Sequence, residues 1–589
     1  MRYCRLNIYF FLLFAWHISA QQVDDNVNAE KVARSIADRI IQDTYFQLTE
    51  VEQKPVLDLQ VIDFSKTESE NKVVYSFSTL DARHSQNLSF GVSYSQPFEL
   101  YLNNQLVFSN KTQVRFKYRE IAYEIFEFQD TINLALQSGK NEIYIKSISG
   151  KQSFIYLREL NGVGEDLKSS FKPVDTSQSN YVWPWCYSES FEVCNGNNNS
   201  TPKEYLTRDE IDKIYSNTSS IKLKYYPPAI LKKFATKEGK VFKKDNYAEW
   251  HYAHGSMMMS VVYLAEILND SGYRNFVEKY CDYTLETYPI YQSQYFEQHD
   301  LQTDNYRMFR KTMLDDTGAP ILPFISLQLI NKDDKYSSLI KEMSDFVSDK
   351  QFRLDDKTFC RPEPSMMSVW ADDLFMSVPF LVRLGKLTGE NKYFDDAAMQ
   401  IINFNKYLSD SSNGLYKHCW YNNSKMQSAV NWGRANGWII WATTEALLNI
   451  PSDHKSYNKI LRIFKNHIDA IITYQNENGM WYQILNDKNT FEETSSTAMF
   501  TIGLSRGIRN GWLEKDYEKY LEKAWLGLIN TIDANGIVKN ITRGTGVSDD
   551  KNYYASRERY DNDPRGLGAV LTACAEMIIF NSQIKDRTQ

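Results

Sequence analysis

Several things are missing from this 589-residue chain. Cysteine and histidine never fall at a spacing that holds zinc, no serine sits in a nucleophile motif, and no glycine-rich loop would cradle phosphates. Metal-assisted hydrolysis, serine acyl transfer and nucleotide chemistry therefore have no sequence anchor. Positive charge is also lacking: the net charge of −7 argues against nucleic acid as a partner. An anionic small substrate stays open, because a pocket can differ from the whole surface. Beyond the N-terminus, no segment reads as an uninterrupted apolar span. Cysteines number seven. Cys4 lies in the leader, Cys186 and Cys194 lie close enough in a Trp-rich loop to pair after export, and Cys281, Cys360, Cys419 and Cys574 read as scattered buried thiols.

Aromatics are abundant, at 14% with 12 Trp and 39 Tyr. Flat rings cover the C–H faces of sugars, although they also fill cores. Hydrophobic residues at 42% and charged residues at 24% are those of a soluble globular protein, and the length exceeds one ordinary domain.

Arg2 and Arg5 precede an apolar run from Ile8 to Trp16, then Ile18-Ser19-Ala20. Residues 1–20 read as a signal peptide, which predicts a periplasmic or secreted protein with no membrane contact after cleavage. Residues 21–50 carry one amphipathic helix, with Val32, Ile36 and Ile40 on a single face. Residues 55–165 alternate as strands and turns, including a hairpin at Asn103-Asn104, and predict an accessory β-sandwich. Residues 166–240 read as a linker with short helices.

Residues 241–589 are helical and contain a repeat. Short loops lead into Tyr273, Tyr336, Tyr393, Tyr457 and Tyr517, at intervals of 63, 57, 64 and 60 residues. Each interval holds an apolar helix and an amphipathic one, a helical hairpin. Five hairpins are visible. Pairing of the first helix with the last apolar one, near residues 566–580, would complete six. The predicted fold is an all-α (α/α)6 toroid with the β-sandwich inserted near its start. The long loops, rich in Trp, His, Arg and acids, then all lead into inner helices at one mouth. Helix N-termini there suit an anionic group.

Asp372-Asp373 follows Trp370 and precedes an apolar helix; Asp315-Asp316 holds the matching place one hairpin earlier. An acid pair at a helix start is ordinarily an N-cap, with Asp372 as cap and Asp373 as first residue. Two such pairs beside Trp, His and Arg point instead to carboxyl-based carbohydrate chemistry, in which one acid donates a proton and another group positions water.

The ordered set Asp315, Trp370-Ala371-Asp372-Asp373-Leu374-Phe375-Met376, Trp432-Gly433-Arg434-Ala435-Asn436-Gly437-Trp438, Gly479-Met480-Trp481-Tyr482-Gln483, Glu493-Thr494-Ser495 and Ser556-Arg557-Glu558-Arg559 closely resembles glycoside hydrolase family 105, the unsaturated rhamnogalacturonyl or glucuronyl hydrolases related to family 88. The resemblance runs from Trp250 to the C-terminus. It implies an oligosaccharide substrate ending in a C4=C5 unsaturated uronic acid left by a lyase, and no cofactor. The double bond is hydrated: an acid protonates C4, water adds at C5, and the hemiketal opens. The resemblance places the general acid/base at Asp372 and the second acid at Asp315. Apolar Trp370 and Met376, with Asp315 nearby, are expected to raise the Asp372 pKa. Tyr252, His254, Arg361, Trp370, His418, Arg434 and Trp438 are the expected substrate contacts. Arg434 reads equally as a loop tie. Arg361 stands where the family pattern has His, and suits a uronate or a sulfate. Asp373 reads as structural, and Arg557, Glu558 and Arg559 as an ion-paired corner. A polysaccharide lyase, a conventional two-carboxylate glycosidase and an oligosaccharide-binding protein are the rival readings. Rhamnogalacturonan, ulvan-type glycan and arabinogalactan all remain open as the parent polysaccharide.

Overall fold

In the computed structural model the described residues are 29–46, 48–53, 59–64, 67, 70–110, 128–150, 153–160, 170–175, 184–192, 205–224, 231–236, 247–296, 303–362 and 367–588. The signal-peptide reading and Cys194 lie outside them. Two compact units emerge: Met1–Leu48 with Thr236–Pro289 and Asp304–Gln589, and Thr49–Ala235 with Ile290–Thr303.

The first unit is helical. Its main helices are α1 (residues 29–42), α2 (Tyr252–Leu268), α3 (Ser271–Phe296), α4 (Leu322–Asn331), α5 (Ser337–Asp345), α6 (Asp372–Thr388), α7 (Asn391–Leu408), α8 (Gly433–Asn449), α9 (Tyr457–Ile472), α10 (Thr494–Arg509), α11 (Glu518–Ile529) and α12 (Pro564–Thr588). The Tyr-containing loops of the repeat lead into α3, α5, α7, α9 and α11.

Burial sorts the helices into two kinds. In α8 every residue from Gly433 to Leu447 is buried, as for a helix surrounded by others. In α9 the buried residues are Ile460, Ile463, Phe464, His467, Ile468 and Ile471, a single stripe at helical spacing. The fully packed helices meet in sequence: α2 with α4, α4 with α6, α6 with α8, α8 with α10, α10 with α12, and α12 with α2. The series closes on itself. Helix α1 joins the start of α3 through Arg34–Asp270 at 2.8 Å and the Tyr273 hydroxyl on Asp38 at 3.0 Å.

Length and mean hydropathy alone would let residues Pro564–Ile584 of α12 cross a membrane, although Arg565 and Glu576 interrupt the apolar run. The helix instead buries most of that stretch, packing on α2 and α10.

Where the inner helices end, a buried ion network joins four of them. Glu445 of α8 takes Arg383 of α6 at 2.9 Å and Arg506 of α10 at 2.7 Å, while Glu576 of α12 takes Arg506 and Arg509, each at 2.6 Å. Beside it lies a cavity of about 460 Å³, touched by Met259, Ser326, Lys386, Leu448, Arg506 and Thr572, one residue from each inner helix.

Among the described residues the second unit carries two larger antiparallel sheets, besides a two-stranded pairing of Leu48–Gln53 with Leu231–Thr236. The strands of the larger sheets are β1 (Leu59–Asp63), β2 (Val73–Ala82), β3 (Gln86–Tyr94), β4 (Phe98–Leu102), β5 (Gln105–Asn110), β6 (Asp130–Leu136), β7 (Gly139–Ile148), β8 (Phe154–Glu159), β9 (Ser170–Lys172) and β10 (Cys186–Tyr187). One sheet runs β9-β2-β7-β4-β5 with β10 also on β2, the other β1-β8-β3-β6. Val61, Leu88, Ile132 and Leu157 of one sheet share a core with Leu80, Leu100 and Ile143 of the other. Asn103 and Asn104 make the β4–β5 turn, with φ of 48° and 64°, as a tight hairpin requires. The stretch expected as a linker supplies β9, β10 and a helix, Arg208–Tyr215, closed by a capping box between Thr207 and Glu210. Ile211, Ile214 and Tyr215 of that helix cover Tyr75, Phe77 and Tyr144 on the six-stranded sheet. These rings serve packing.

The ion network generates a stability prediction. Burial raises the Glu445 carboxyl, but Arg383 and Arg506 outweigh it and hold the pKa down to about 2. An unfolded glutamate titrates near ~4.3, so this contribution is complete above that value and is lost as pH falls through the folded value. Glu445→Ala should cost roughly 3–5 kcal/mol at neutral pH by leaving buried arginines unpaired. Urea unfolding between neutral and strongly acidic pH should show a shallower acid loss in Glu445→Gln than in the parent. Equal acid slopes would refute the assignment.

Candidate active site

The site is built where Asp372 meets a strand from elsewhere in the chain. A short ribbon pairs Val369–Trp370 with Cys419–Tyr421, in the register Trp370 to Cys419. The next rung ties the Ala371 N–H to the His418 carbonyl at 2.9 Å. That register brings His418 beside the start of α6, and its Nε2 lies 2.9 Å from Asp372 Oδ2. On the other ring edge, His418 Nδ1 lies 2.9 Å from the Tyr554 hydroxyl, which itself accepts the Ser548 N–H at 3.2 Å. His418 is fully buried, whereas Asp372 keeps 16% of its side chain exposed.

The acid pair differs from an N-cap. Ala371 is the capping residue and makes no side-chain cap bond, so Asp372 and Asp373 are the first two residues of α6. They face different partners. Asp373 accepts Nε and Nη2 of Arg361 at 2.8–3.1 Å. The same guanidinium donates Nη2 to Asp315 at 2.8 Å and lies 4.3 Å from the centre of the Trp370 ring. Arg361 is itself placed by paired backbone hydrogen bonds with Ser368, at 2.7 and 3.1 Å.

Asp315 reaches this cluster from a single turn, Leu314–Asp316. Its neighbour Asp316 is buried on Arg310 at 2.6 Å and caps Thr312, which fixes the turn. Gly318 then presses on α6: a Cβ there would come to 2.0 Å from the Met376 carbonyl oxygen, so only glycine permits the approach.

Charge runs against one expectation. Burial raises the Asp372 pKa, but His418, then Arg361 and Arg434, overturn it, and the net shift is downward. The carboxyls that are raised are Asp315 and Asp373, each by burial opposed by Arg361 and helped by neighbouring carboxylates. The sequence counted apolar neighbours around Asp372 but not the imidazole.

The other expected contacts divide. Tyr252, the first residue of α2, meets Arg565 Nε at 3.1 Å through its hydroxyl and lies in the field of Arg565, Asp315, Arg434 and Asp372. Arg434 is buried at the start of α8, stacked 4.5 Å from the Trp432 ring centre, with its terminal nitrogens on the carbonyls of Thr542 and Arg543. It ties a loop, has no carboxylate pair among the described residues, and helps to lower the Asp372 pKa. Trp370 supports Arg361 and donates its indole N–H to Ser368 at 2.9 Å.

Three expected contacts are otherwise employed. Arg361 is consumed by Asp315 and Asp373. Trp438 is packed in the core, 4.7 Å from Phe375 and stacked on Trp441. His254 is buried with Nδ1 3.0 Å from the Glu249 carbonyl, and burial lowers its pKa to about 4. The Arg557–Arg559 corner also differs, since Glu558 pairs with Arg543 at 2.8 Å. The sequence reading missed Tyr554 and Arg565. Tyr554 carried no signal, whereas Arg565 sits in the loop that opens α12. No cluster of metal-ligating side chains occurs among the described residues.

Residues 228–581 match the family model described as Glycosyl Hydrolase Family 88. The chain belongs to that family. It is a glycoside hydrolase by that membership. It is 26% identical over 299 residues to the unsaturated rhamnogalacturonyl hydrolase YesR of Bacillus subtilis, covering 47% of this chain and 84% of the relative. It is 30% identical over 218 residues to an unsaturated 3S-rhamnoglycuronyl hydrolase of an Alteromonas species, spanning 36% of this chain and about half (51%) of that relative. A solved structure of a possible family 105 member from Salmonella enterica shares the fold, with a TM-score of 0.51 at 20% identity, covering 66% of this chain and 99% of the other.

In this family 88 member, Arg361 should behave as a structural cation. Arg361→Gln leaves two buried carboxylates facing each other, at a cost of roughly 3–5 kcal/mol. A melting curve should fall by several degrees. An unchanged melting temperature with only a raised KM would instead assign Arg361 to substrate.

Proposed function

We propose that this hydrolase removes a 4,5-unsaturated uronic acid from the non-reducing end of lyase-generated oligosaccharides, by hydration of the vinyl ether. The observation that carries the reading is Asp372, partly exposed, paired with buried His418 and flanked by Arg434 and Tyr252. The named activities of the Bacillus and Alteromonas relatives support it. We read the ring of six inner helices as an (α/α)6 toroid, and the two-sheet unit as an accessory β-sandwich. The N-terminal pattern fits export to the periplasm or beyond.

The mechanism must supply a proton to C4 from a carboxyl whose resting pKa is lowered. Substrate entry solves this. The uronate brings a negative charge and displaces water, and both effects raise the proton affinity of Asp372. Asp372 then takes up a proton with the substrate and transfers it to C4. Water adds at C5 and returns its proton to the Asp372 carboxylate. The hemiketal opens by breaking the bond from C5 to the ring oxygen, which leaves a ketone at C5 and a hemiacetal at C1. The hemiacetal collapses to an aldehyde as the C1–O glycosidic bond breaks, and its hydroxyl proton passes to the oxygen of the departing sugar. His418, held by Tyr554, orients Asp372 throughout. Asp315, fixed by Arg361, is placed to hold a sugar hydroxyl.

The unsaturated uronate absorbs in the ultraviolet, so the purified chain should bleach a lyase-digested polysaccharide. A gain of absorbance would indicate a lyase, and no change a binding protein. Asp372→Asn should lower kcat by about 10²–10⁴-fold with the fold intact, as for loss of a general acid. A fully active Asp372→Asn variant would remove Asp372 from the chemistry. Calorimetry in buffers of differing ionisation enthalpy should show proton uptake on binding. Binding without uptake would overturn the substrate-assisted step.

A further inference from the structure

His251 stands at the mouth with no part in the proton transfer. It caps α2: its backbone is extended, at φ −149° and ψ 145°, and its Nδ1 accepts the Ala253 N–H at 3.2 Å. Asn, Asp, Ser and Thr are the usual residues for that task, with shorter side chains. What an imidazole adds is a second nitrogen on the far side of the ring.

The state of that nitrogen follows from the first. An accepting Nδ1 carries a lone pair, so a neutral ring holds its proton on Nε2. Burial, then Arg307, His254, Arg565 and Arg310, push the His251 pKa well below its ordinary value, so the ring is neutral. Nε2 is therefore a donor, and among the described residues nothing accepts its proton. The ring is half-buried, and Nε2 keeps contact with solvent.

Neighbouring contacts fasten this cap to the turn that carries Asp315. Trp250 donates its indole N–H to the Asp316 carbonyl at 2.7 Å and its backbone N–H to Asn305 Oδ1 at 2.6 Å. One turn into α2, Gly255 lies against Ala319, where a Cβ would come to 2.3 Å from the carbonyl oxygen. The Tyr252 ring centre lies 4.5 Å from that of His251, and its phenol is in the field of Asp315 and Asp372. Arg307 acts on both His251 and Asp315.

The two groups are chemically complementary. An ionised carboxylate only accepts, so a sugar hydroxyl bound to Asp315 spends its proton there and keeps its oxygen lone pairs for a donor. A neutral N–H suits that uncharged oxygen, whereas a cation would prefer the uronate.

We infer that His251, beside Tyr252, is a specificity-determining residue that donates its Nε2–H to a hydroxyl oxygen of the terminal sugar, the hydroxyl whose proton goes to Asp315. This rests on the proposed action on unsaturated uronides. With C1 in the glycosidic bond and C4=C5 unsaturated, that ring has hydroxyls at C2 and C3.

Two variants of the full chain separate the donor from the cap. His251→Asn keeps an oxygen for the Ala253 N–H but is too short to present the second donor. It should hold the parental melting temperature and lower kcat/KM roughly 3–10-fold, through KM, as for a lost neutral hydrogen bond. His251→Gln carries an amide N–H further out but caps poorly, so it should melt earlier and recover part of the loss. If kcat/KM instead tracks melting temperature across the two variants, His251 is only a cap and the inference fails. Unsaturated disaccharides lacking the C2 or the C3 hydroxyl identify the partner, because the His251→Asn penalty should vanish on one of them. A penalty equal on these and on the intact disaccharide, or no penalty at all, overturns the contact. Should the parent consume no unsaturated uronide, the proposed activity fails on its own, and calorimetric binding of the intact disaccharide decides the contact. Weaker binding by His251→Asn than by the parent supports it. Equal affinity, or no binding by the parent, overturns it.

Discussion

A guanidinium buried between two carboxylates governs this site. Arg361 holds Asp373 at the start of α6 and Asp315 from the preceding turn, with the Trp370 ring beneath it. Three acids crowd one helix start, and burying them without a cation would be prohibitive. Because Arg361 engages two of them, the third, Asp372, is left partly exposed and pairs with His418. Trp370 belongs to the ribbon that carries His418, so the support of the cation and the placement of the imidazole share one piece of backbone.

The ends of the inner helices have divided roles. Their N-termini gather Tyr252, Asp372, Arg434 and Arg565, and here partners are incomplete and charge is poised. Towards their other ends, Glu445 and Glu576 are saturated by Arg383, Arg506 and Arg509, which lock α6, α8, α10 and α12 together. Close helix approach links the two, and Gly318 against the Met376 carbonyl shows how little space separates the Asp315 turn from α6. A rigid frame of this kind lets partly unsatisfied groups persist at the mouth.

Much of the architecture was legible from periodicity. The Tyr-marked repeat located the loops before α3, α5, α7, α9 and α11, because a buried helix and a half-exposed helix leave different hydrophobic patterns. The polar–aromatic loops were correctly placed before inner helices. Individual roles were less legible. Trp438 lies in the same motif as Arg434, one turn further along α8, and that turn takes it into the core with Phe375 and Trp441. Arg361 has the chemistry of an anion binder, and nothing local reveals that Asp315 and Asp373 already occupy it.

Periodicity and local spacing, written along the chain, sufficed for the helical repeat and the motif set that marks the family, whereas Asp315, expected at a helix start like Asp372, stands on a separate turn before α4. Folding alone settled which carboxyl pKa is held down and which are raised, and which arginine is spent on carboxylates. Those outcomes depend on burial and on partners such as His418, Tyr554 and Arg565, which lie 46 or more residues from the groups they bond. Electrostatic energy follows distance in space, and the fold alone sets that distance.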